Sequence, residues 1–413
     1  HGNVWAWGLN SKGQLGQGNR NESAGFFPVK VKGPTDMTLQ ALDADSEGNL
    51  CNIVSIAAGG NVSMAITADG RVYAWGDNTF GQCGQGEWGA DPAANPPSAE
   101  IYTSPVLVQM LDGFGHYNGD ALTKVISVSL AADFVTALTW EGRVYTWGDN
   151  RQGQLGQNGT SQAPVCRAQS MSFDTSEIVV QVSSSGAEGK AGTNSYGHSM
   201  ALSVRKTTPA DTAPTTVWGW GLNGYGEIGN GTKDVLYSRP MKVVFAPTYN
   251  GATVGGTKND AQGRVVNISA GYQFSMAGTD EGALFTWGSN ERGQQGVGTK
   301  NMGAGYGQIQ YQVQPQLVRL DPDADKDDLP SDGYLDYNGA AKAHSFSAGG
   351  DFAVIIMDDG KVFAMGNNAK GQLGDNGKTK GQSVGDVIRT GDDVKEELKL
   401  NRVFVYTGED DGE

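Results

Sequence analysis

Val4-Trp5-Ala6-Trp7-Gly8-Leu9-Asn10-Ser11-Lys12-Gly13-Gln14-Leu15-Gly16-Gln17-Gly18 begins as an alternating apolar strand and ends as a turn punctuated by glycine. The same pattern returns at 72–84, 144–156, 217–229, 284–296 and 362–374. The residues in the tryptophan slot are Trp7, Trp75, Trp147, Trp220, Trp287 and Met365, spaced 67 to 78 residues apart. Self-similarity at a nearly even period marks a repeat architecture, in which one supersecondary unit buries its apolar face only against its neighbours. The copies fill the chain and predict a single domain over 1–413. Its units are about 3–70, 71–142, 143–216, 217–282, 283–360 and an incomplete 361–413.

The companions of the motif define the unit. Upstream lie a run such as Ile53 to Gly59, a second run from Val62 to Ile66, and an acidic-glycine turn at Asp69-Gly70. Equivalents occur at 125–142, 265–282 and 346–360, and a further copy at 179–203 is split by a Gly/Ser-rich insertion at 183–196. Downstream come runs headed by Pro28, Pro105, Pro240 and Pro315, and proline at the first residue of an outer strand suits an edge that need not donate. Four short antiparallel strands per unit, repeated around an axis, predict an all-β β-propeller of six or seven four-stranded blades. Trp5, Trp7, Trp75, Trp147, Trp218, Trp220 and Trp287 are expected to pack between blades. The chain opens on the two outer strands of one blade, and Val403 to Gly408 aligns with an inner strand, so the closing blade is shared between the termini. The second strand of that blade has no match, which predicts further chain beyond Glu413 or before His1.

Composition narrows the function. Glycine is 62 of 413 residues, without the every-third-residue period of collagen. A net charge of −15 disfavours a nucleic-acid backbone as partner. No apolar run reaches the length of a membrane span. Cys83 stands where other copies carry Leu or Ile and reads as core; a disulfide between Cys51 and Cys166 is the lesser alternative to two unpaired thiols. Histidines at 1, 116, 198 and 344 are scattered, and no catalytic signature accompanies them, so an enzyme is not expected. His1-Gly2 resembles a copper brace but falls in the repeat's turn position. Sequons at Asn21, Asn61, Asn158, Asn230 and Asn267 are compatible with an extracellular or cell-surface protein.

Two acidic stretches are candidate calcium loops. Asp321, Asp323, Asp325 and Asp327 alternate, and Asp332 stands eleven residues after Asp321, although Lys326 replaces the glycine that sharpens such a loop. Asp43, Asp45 and Glu47 keep the glycine, Gly48, but lack the distal carboxylate. A solvated acidic loop is the simpler reading of each. Aromatic residues in the insertions, Trp88, Tyr102, Tyr117, Tyr334 and Tyr337, are candidate partner-binding anchors, and Trp140 precedes a turn where it too could face a partner. Loop packing is the alternative for all of them.

The strand ending in Trp-Gly-x-Asn, followed by Gly-Gln-Leu-Gly and by a Gly-x-x-His-Ser-x-Ala-Leu strand, resembles the regulator of chromosome condensation repeat family. The last element stands here as Ser195-Tyr196-Gly197-His198-Ser199-Met200-Ala201-Leu202. The resemblance covers almost the whole chain and is greatest toward secreted and surface members from bacteria. It implies a propeller used as a platform for proteins. Members include a nucleotide exchange factor for a Ran-type GTPase, a plant ultraviolet-B receptor and β-lactamase-inhibitory proteins. The receptor's Gly-Trp-Arg-His-Thr motif is absent, so light sensing is not carried over. The expected function is a non-catalytic extracellular module binding a protein, a glycan or its own copies through face loops. The alternative is exchange on a small GTPase.

Overall fold

The computed structural model describes residues 2–22, 26–86, 101–112, 116, 119–174, 176–187, 196–206, 213–245, 263–296, 311–318, 342–358, 362–373 and 383–390. Strands β1 (Trp5–Ala6) and β2 (Val29–Lys30) pair as a two-stranded sheet, and one short helix, α1 (Met37–Asp43), follows them. Five four-stranded sheets come next, each from consecutive strands. They are β3–β6 (Ile53–Gly59, Val62–Thr67, Val72–Asp77, Ile101–Leu107) and β7–β10 (Val125–Leu130, Phe134–Thr139, Val144–Asn150, Ser161–Met171). The third is β11–β14 (Glu177–Ala187, Tyr196–Arg205, Thr215–Gly221, Tyr237–Lys242). The last two are β15–β18 (Val265–Ala270, Phe274–Thr279, Leu284–Ser289, Tyr311–Leu317) and β19–β22 (Ala343–Ala348, Phe352–Met357, Val362–Asn367, Ser383–Thr390). Every pairing between these strands is antiparallel, which gives the blade sheets of the expected propeller.

Hydrophobic burial follows the repeat. The third strand of each blade is buried along most of its length, as at 72–77, 144–150 and 284–289, because sheets cover it on both faces. Trp75, Trp147, Trp220 and Trp287 are the largest fully buried side chains. Trp7 departs from the expectation that every motif tryptophan is core: it is 57% exposed, and Leu9 is 58% exposed. In the two-stranded first sheet β1 has a ladder partner on one side only, among the described residues, so nothing covers Trp7 as its counterparts are covered.

The outer prolines also fall differently from the expectation of a strand's first residue. Pro105, Pro240 and Pro315 lie inside β6, β14 and β18. Each sits at a register break, where the ladder skips from Gly76↔Tyr102 to Ala74↔Val106, with like breaks beside Trp220 and Trp287. A bulge leaves residues outside the ladder, and so tolerates a residue with no N–H to give. The Gly/Ser-rich insertion lengthens a hairpin, since β11 and β12 stay paired out to Ala187↔Tyr196.

Cys83 is fully buried, as its place in the repeat predicts, and burial raises its thiol pKa. Cys51 and Cys166 are not joined to each other, so the disulfide considered from the sequence is not formed. No helix among the described residues is long and apolar enough to cross a membrane.

Candidate partner-binding surface

The motif residues serve the scaffold. In all six copies the asparagine side chain accepts from the backbone N–H five residues on, as in Asn10 from Leu15 and Asn78 from Cys83. The Gln or Glu that follows accepts from the N–H two residues before it, closing the turn from the other side. Each tryptophan indole then donates across to the preceding blade. Trp75 Nε1 reaches the Gln14 carbonyl at 2.9 Å, Trp147 that of Gln82 at 2.7 Å, Trp220 that of Gln154 at 3.0 Å and Trp287 that of Glu227 at 2.7 Å. The last glycine of the turn makes room for this. Gly229 has φ +73°, and a Cβ there would lie 2.6 Å from Trp287 Nε1.

Two titratable groups are buried in this scaffold. His198 Nε2 lies 2.8 Å from Ser275 Oγ of the next blade, and burial lowers its pKa to about 4, which keeps the ring neutral. Glu227 stands where the other five copies carry glutamine. Burial raises its pKa to about 7 against the pull of backbone N–H groups from residues 225 to 227.

A recurrent feature appears on the inner strands. All five carry a register break near their start, one residue in at Val54, Ile126, Val266 and His344 and three residues in at Val180. The bulged residue leaves the ladder, and the four apolar ones are exposed by 67%, 54%, 44% and 42%. Trp140, 63% exposed, belongs to the same end of its blade, because its N–H donates to the Lys124 carbonyl at 3.0 Å. Lys124 Nζ sits 5.5 Å above the indole and bonds Glu141 at 2.7 Å, and Glu141 also faces Arg143 at 3.5 Å. The hydrogen bond from Lys124 holds the Glu141 carboxyl below its usual pKa.

The residues nominated from sequence fare unevenly. Asp321, Asp323, Asp325, Asp327, Asp332, Trp88, Tyr117, Tyr334 and Tyr337 lie outside the described residues. Tyr102 is not in a loop: it lies in β6 opposite Gly76, half-buried against the core of its blade, because the outer strand begins four residues before Pro105. Asp43, Asp45 and Glu47 are each engaged with protein groups. Asp43 is buried between Arg71 (2.7 Å) and the Tyr73 hydroxyl (2.6 Å). Asp45 accepts from the N–H groups of Asn49 and Glu47 and from the Asn3 amide, and the Asn49 bond leads in lowering its pKa. Glu47 pairs with Lys30. Among the described residues no three carboxylate, histidine or cysteine groups converge as metal ligands. The exposed bulge residues had no signal of their own in the sequence. Trp140 had one, since the equivalent positions hold Ala68, Asp280 and Asp358.

The RCC1-like domain matches residues 1–384. Among curated proteins, Protein RCC2 homolog of Danio rerio is 30% identical over 293 residues, covering 70% of this chain and 49% of that protein. The ultraviolet-B receptor UVR8 of Arabidopsis thaliana is 25% identical over 409 residues, covering 90% of this chain and 74% of the receptor. The human E3 ubiquitin-protein ligase HERC2 matches at 25% over 409 residues, 91% of this chain but 7% of the ligase. The chain thus spans about half the length of the RCC2 relatives it matches. Among solved structures, yeast RCC1 (Prp20) bound to Kap60 superposes with a TM-score of 0.61 at 21% identity, covering 94% of this chain and 71% of that one. Prp20p of Saccharomyces cerevisiae, described with its binding to Gsp1p and histones, gives 0.59 at 21% identity, covering 94% of this chain and 73% of that one. The six tryptophan-slot repeats, their blade sheets and the matched span lead to one conclusion: the chain belongs to the RCC1-like domain family.

Proposed function

We propose that this chain is a non-catalytic platform that binds a protein partner through a face of its propeller. The observation that carries the reading is the division of labour in the repeat. The motif side chains are spent on blade joints, while exposed apolar side chains gather on inner-strand bulges and beside Trp140. Apolar side chains left in water at repeating positions are surface for a partner. The family supports the same reading, since yeast RCC1 was solved with Kap60 bound.

A second reading, regulation of a small GTPase by nucleotide exchange, takes its support from the RCC1-like relationship. Placement outside the cell is the companion proposal for the first reading and rests on the sequons. Asn21 and Asn158 are exposed, whereas Asn61 and Asn267 accept from Gln14 and Gln181 and are committed to contacts between blades.

The test is affinity capture from the native source on the immobilised chain, at millimolar calcium and again with chelator, followed by reconstitution with the purified partner. A saturable protein complex supports the platform. Recovery of glycans or of the chain alone, or of nothing saturable, refutes it. A complex lost on chelation assigns calcium to the stretch from Asp321 to Asp332. Release of labelled GDP from a purified Ran-type GTPase, measured with and without the chain, decides the second reading: acceleration supports it and an unchanged rate removes it.

A further inference from the structure

We propose that the bulge end of the β7–β10 blade, anchored on Trp140 and Ile126 and flanked by Lys124 and Arg143, docks a partner segment in which apolar side chains alternate with carboxylates. The proposal rests on the platform reading above and deepens it by naming the place and the chemistry.

The apolar half of the argument is the arrangement of the end itself. Ile126 leaves its ladder at a bulge, next to the Lys124 carbonyl that ties down Trp140. Val54 and Val180 are the bulged residues of the two neighbouring inner strands and are exposed in the same way. A tryptophan this open, with its neighbours already aliphatic, is the kind of side chain that dominates an interface once covered.

The charged half selects the partner. Two cations, Lys124 and Arg143, share one carboxylate, Glu141, and their side chains remain 53% and 68% exposed. The adjoining acids have cations of their own. Asp69 of the preceding blade pairs with Arg71, and Glu177 of the following one stands opposite Arg205 in its ladder. On a chain of net charge −15 this spot carries local positive charge beside the exposed indole. A carboxylate brought between Lys124 and Arg143 meets complementary charge, whereas a cationic segment meets repulsion. Lys124 also fixes one face of the indole, so the ring is held in place for a side chain arriving on the other.

The probe is a fluorescein-labelled peptide, acetyl-Asp-Leu-Phe-Glu-Leu-Asp-amide, titrated against the full chain by anisotropy, with a control in which each acid is replaced by lysine. We expect saturable binding of the acidic probe and none of the basic one. Trp140→Ala should weaken binding at least about tenfold, as loss of a central aromatic anchor does, and Trp140→Phe should recover part of it. The pair Lys124→Ala and Arg143→Ala should weaken it about fivefold at low salt and flatten its salt dependence. Lys370→Ala, in a glycine turn at the opposite end of its blade, should bind as the parent does. Absence of binding to the acidic probe, equal binding of the basic one, or indifference to Trp140→Ala in a variant with native circular dichroism overturns the proposal. A partner recovered by affinity capture and fully retained by Trp140→Ala overturns this surface and leaves the platform standing. Failure of the parent chain to retain any partner refutes the platform reading instead.

Discussion

Glu227→Gln should make the protein more stable as the pH rises, and the size of the effect follows from the turn it occupies. The side chain is 1% exposed, and burial raises its pKa from the usual 4.5 to about 7. Where Gln154 donates its amide to Asp149 Oδ2, the fourth copy has Leu222 in place of the acid, and the charge that does reach Glu227, the Asp234 carboxylate, pushes its pKa further up. A carboxyl with a raised folded pKa contributes its full stability below about 4.5, and the contribution is lost as the pH climbs through about 7. At about 1.4 kcal/mol for each tenfold change in proton affinity, the loss between pH 5 and pH 8 is of order 2.5 kcal/mol. Glutamine keeps the acceptor for the Tyr225 N–H, 2.8 Å away in the parent, and carries no charge to desolvate. Urea unfolding of parent and variant at pH 5 and pH 8 gives the double difference directly. A variant that gains about 2–3 kcal/mol on the parent across this interval supports the argument. Parallel curves, differing by less than about 0.5 kcal/mol, would show that Glu227 ionises in the fold without penalty and would refute it.

Other substitutions probe the same frame. Gln295 stands fully buried where the other copies carry Leu, Ile or Cys, and its Oε1 has no hydrogen-bond partner among the described residues, so Gln295→Leu, which gives up the Nε2 bond to the Gly288 carbonyl, should still raise the urea midpoint by an amount worth about 1 kcal/mol. Gly229→Ala combines a strained φ with a clash against the Trp287 indole, and a loss of at least about 2 kcal/mol is expected in thermal unfolding. Asp43→Ala leaves the Tyr73 hydroxyl without its acceptor and the Arg71 guanidinium with Asp69 alone. A loss of about 2–3 kcal/mol in chemical denaturation is expected from removing charge-assisted hydrogen bonds to a buried carboxylate.

The fold was legible because every letter of the repeated motif has a local physical job. Asparagine and glutamine close the turn, glycine supplies the positive φ, and tryptophan spans to the preceding blade, so the pattern admits little else. The exceptions have local causes as well. Trp7 matches four of its five counterparts in sequence but not in burial, because burial belongs to the neighbouring sheet rather than to the residue. Pro105 looked like the start of a strand, but a bulge lets the strand run on through it, and that carried Tyr102 from a supposed loop into the ladder. The binding surface was harder to read. An apolar residue extruded by a bulge has the same letter as one in the core, and Val54 differs from Ile53 only in which side of the ladder it takes.

The indole-to-carbonyl bonds run in one direction around the chain, each blade fastening the turn of the blade before it. Four such fasteners are present among the described residues, and the joint between the fifth and sixth sheets has Met365 in the tryptophan slot, a side chain with no hydrogen to give. Under tension, or when heated, the molecule therefore has a preferred tear line between Gln294 and Met365. The four joints before it form a continuous zip whose cooperativity stops there, much as a terminal unit separates first from a linear array.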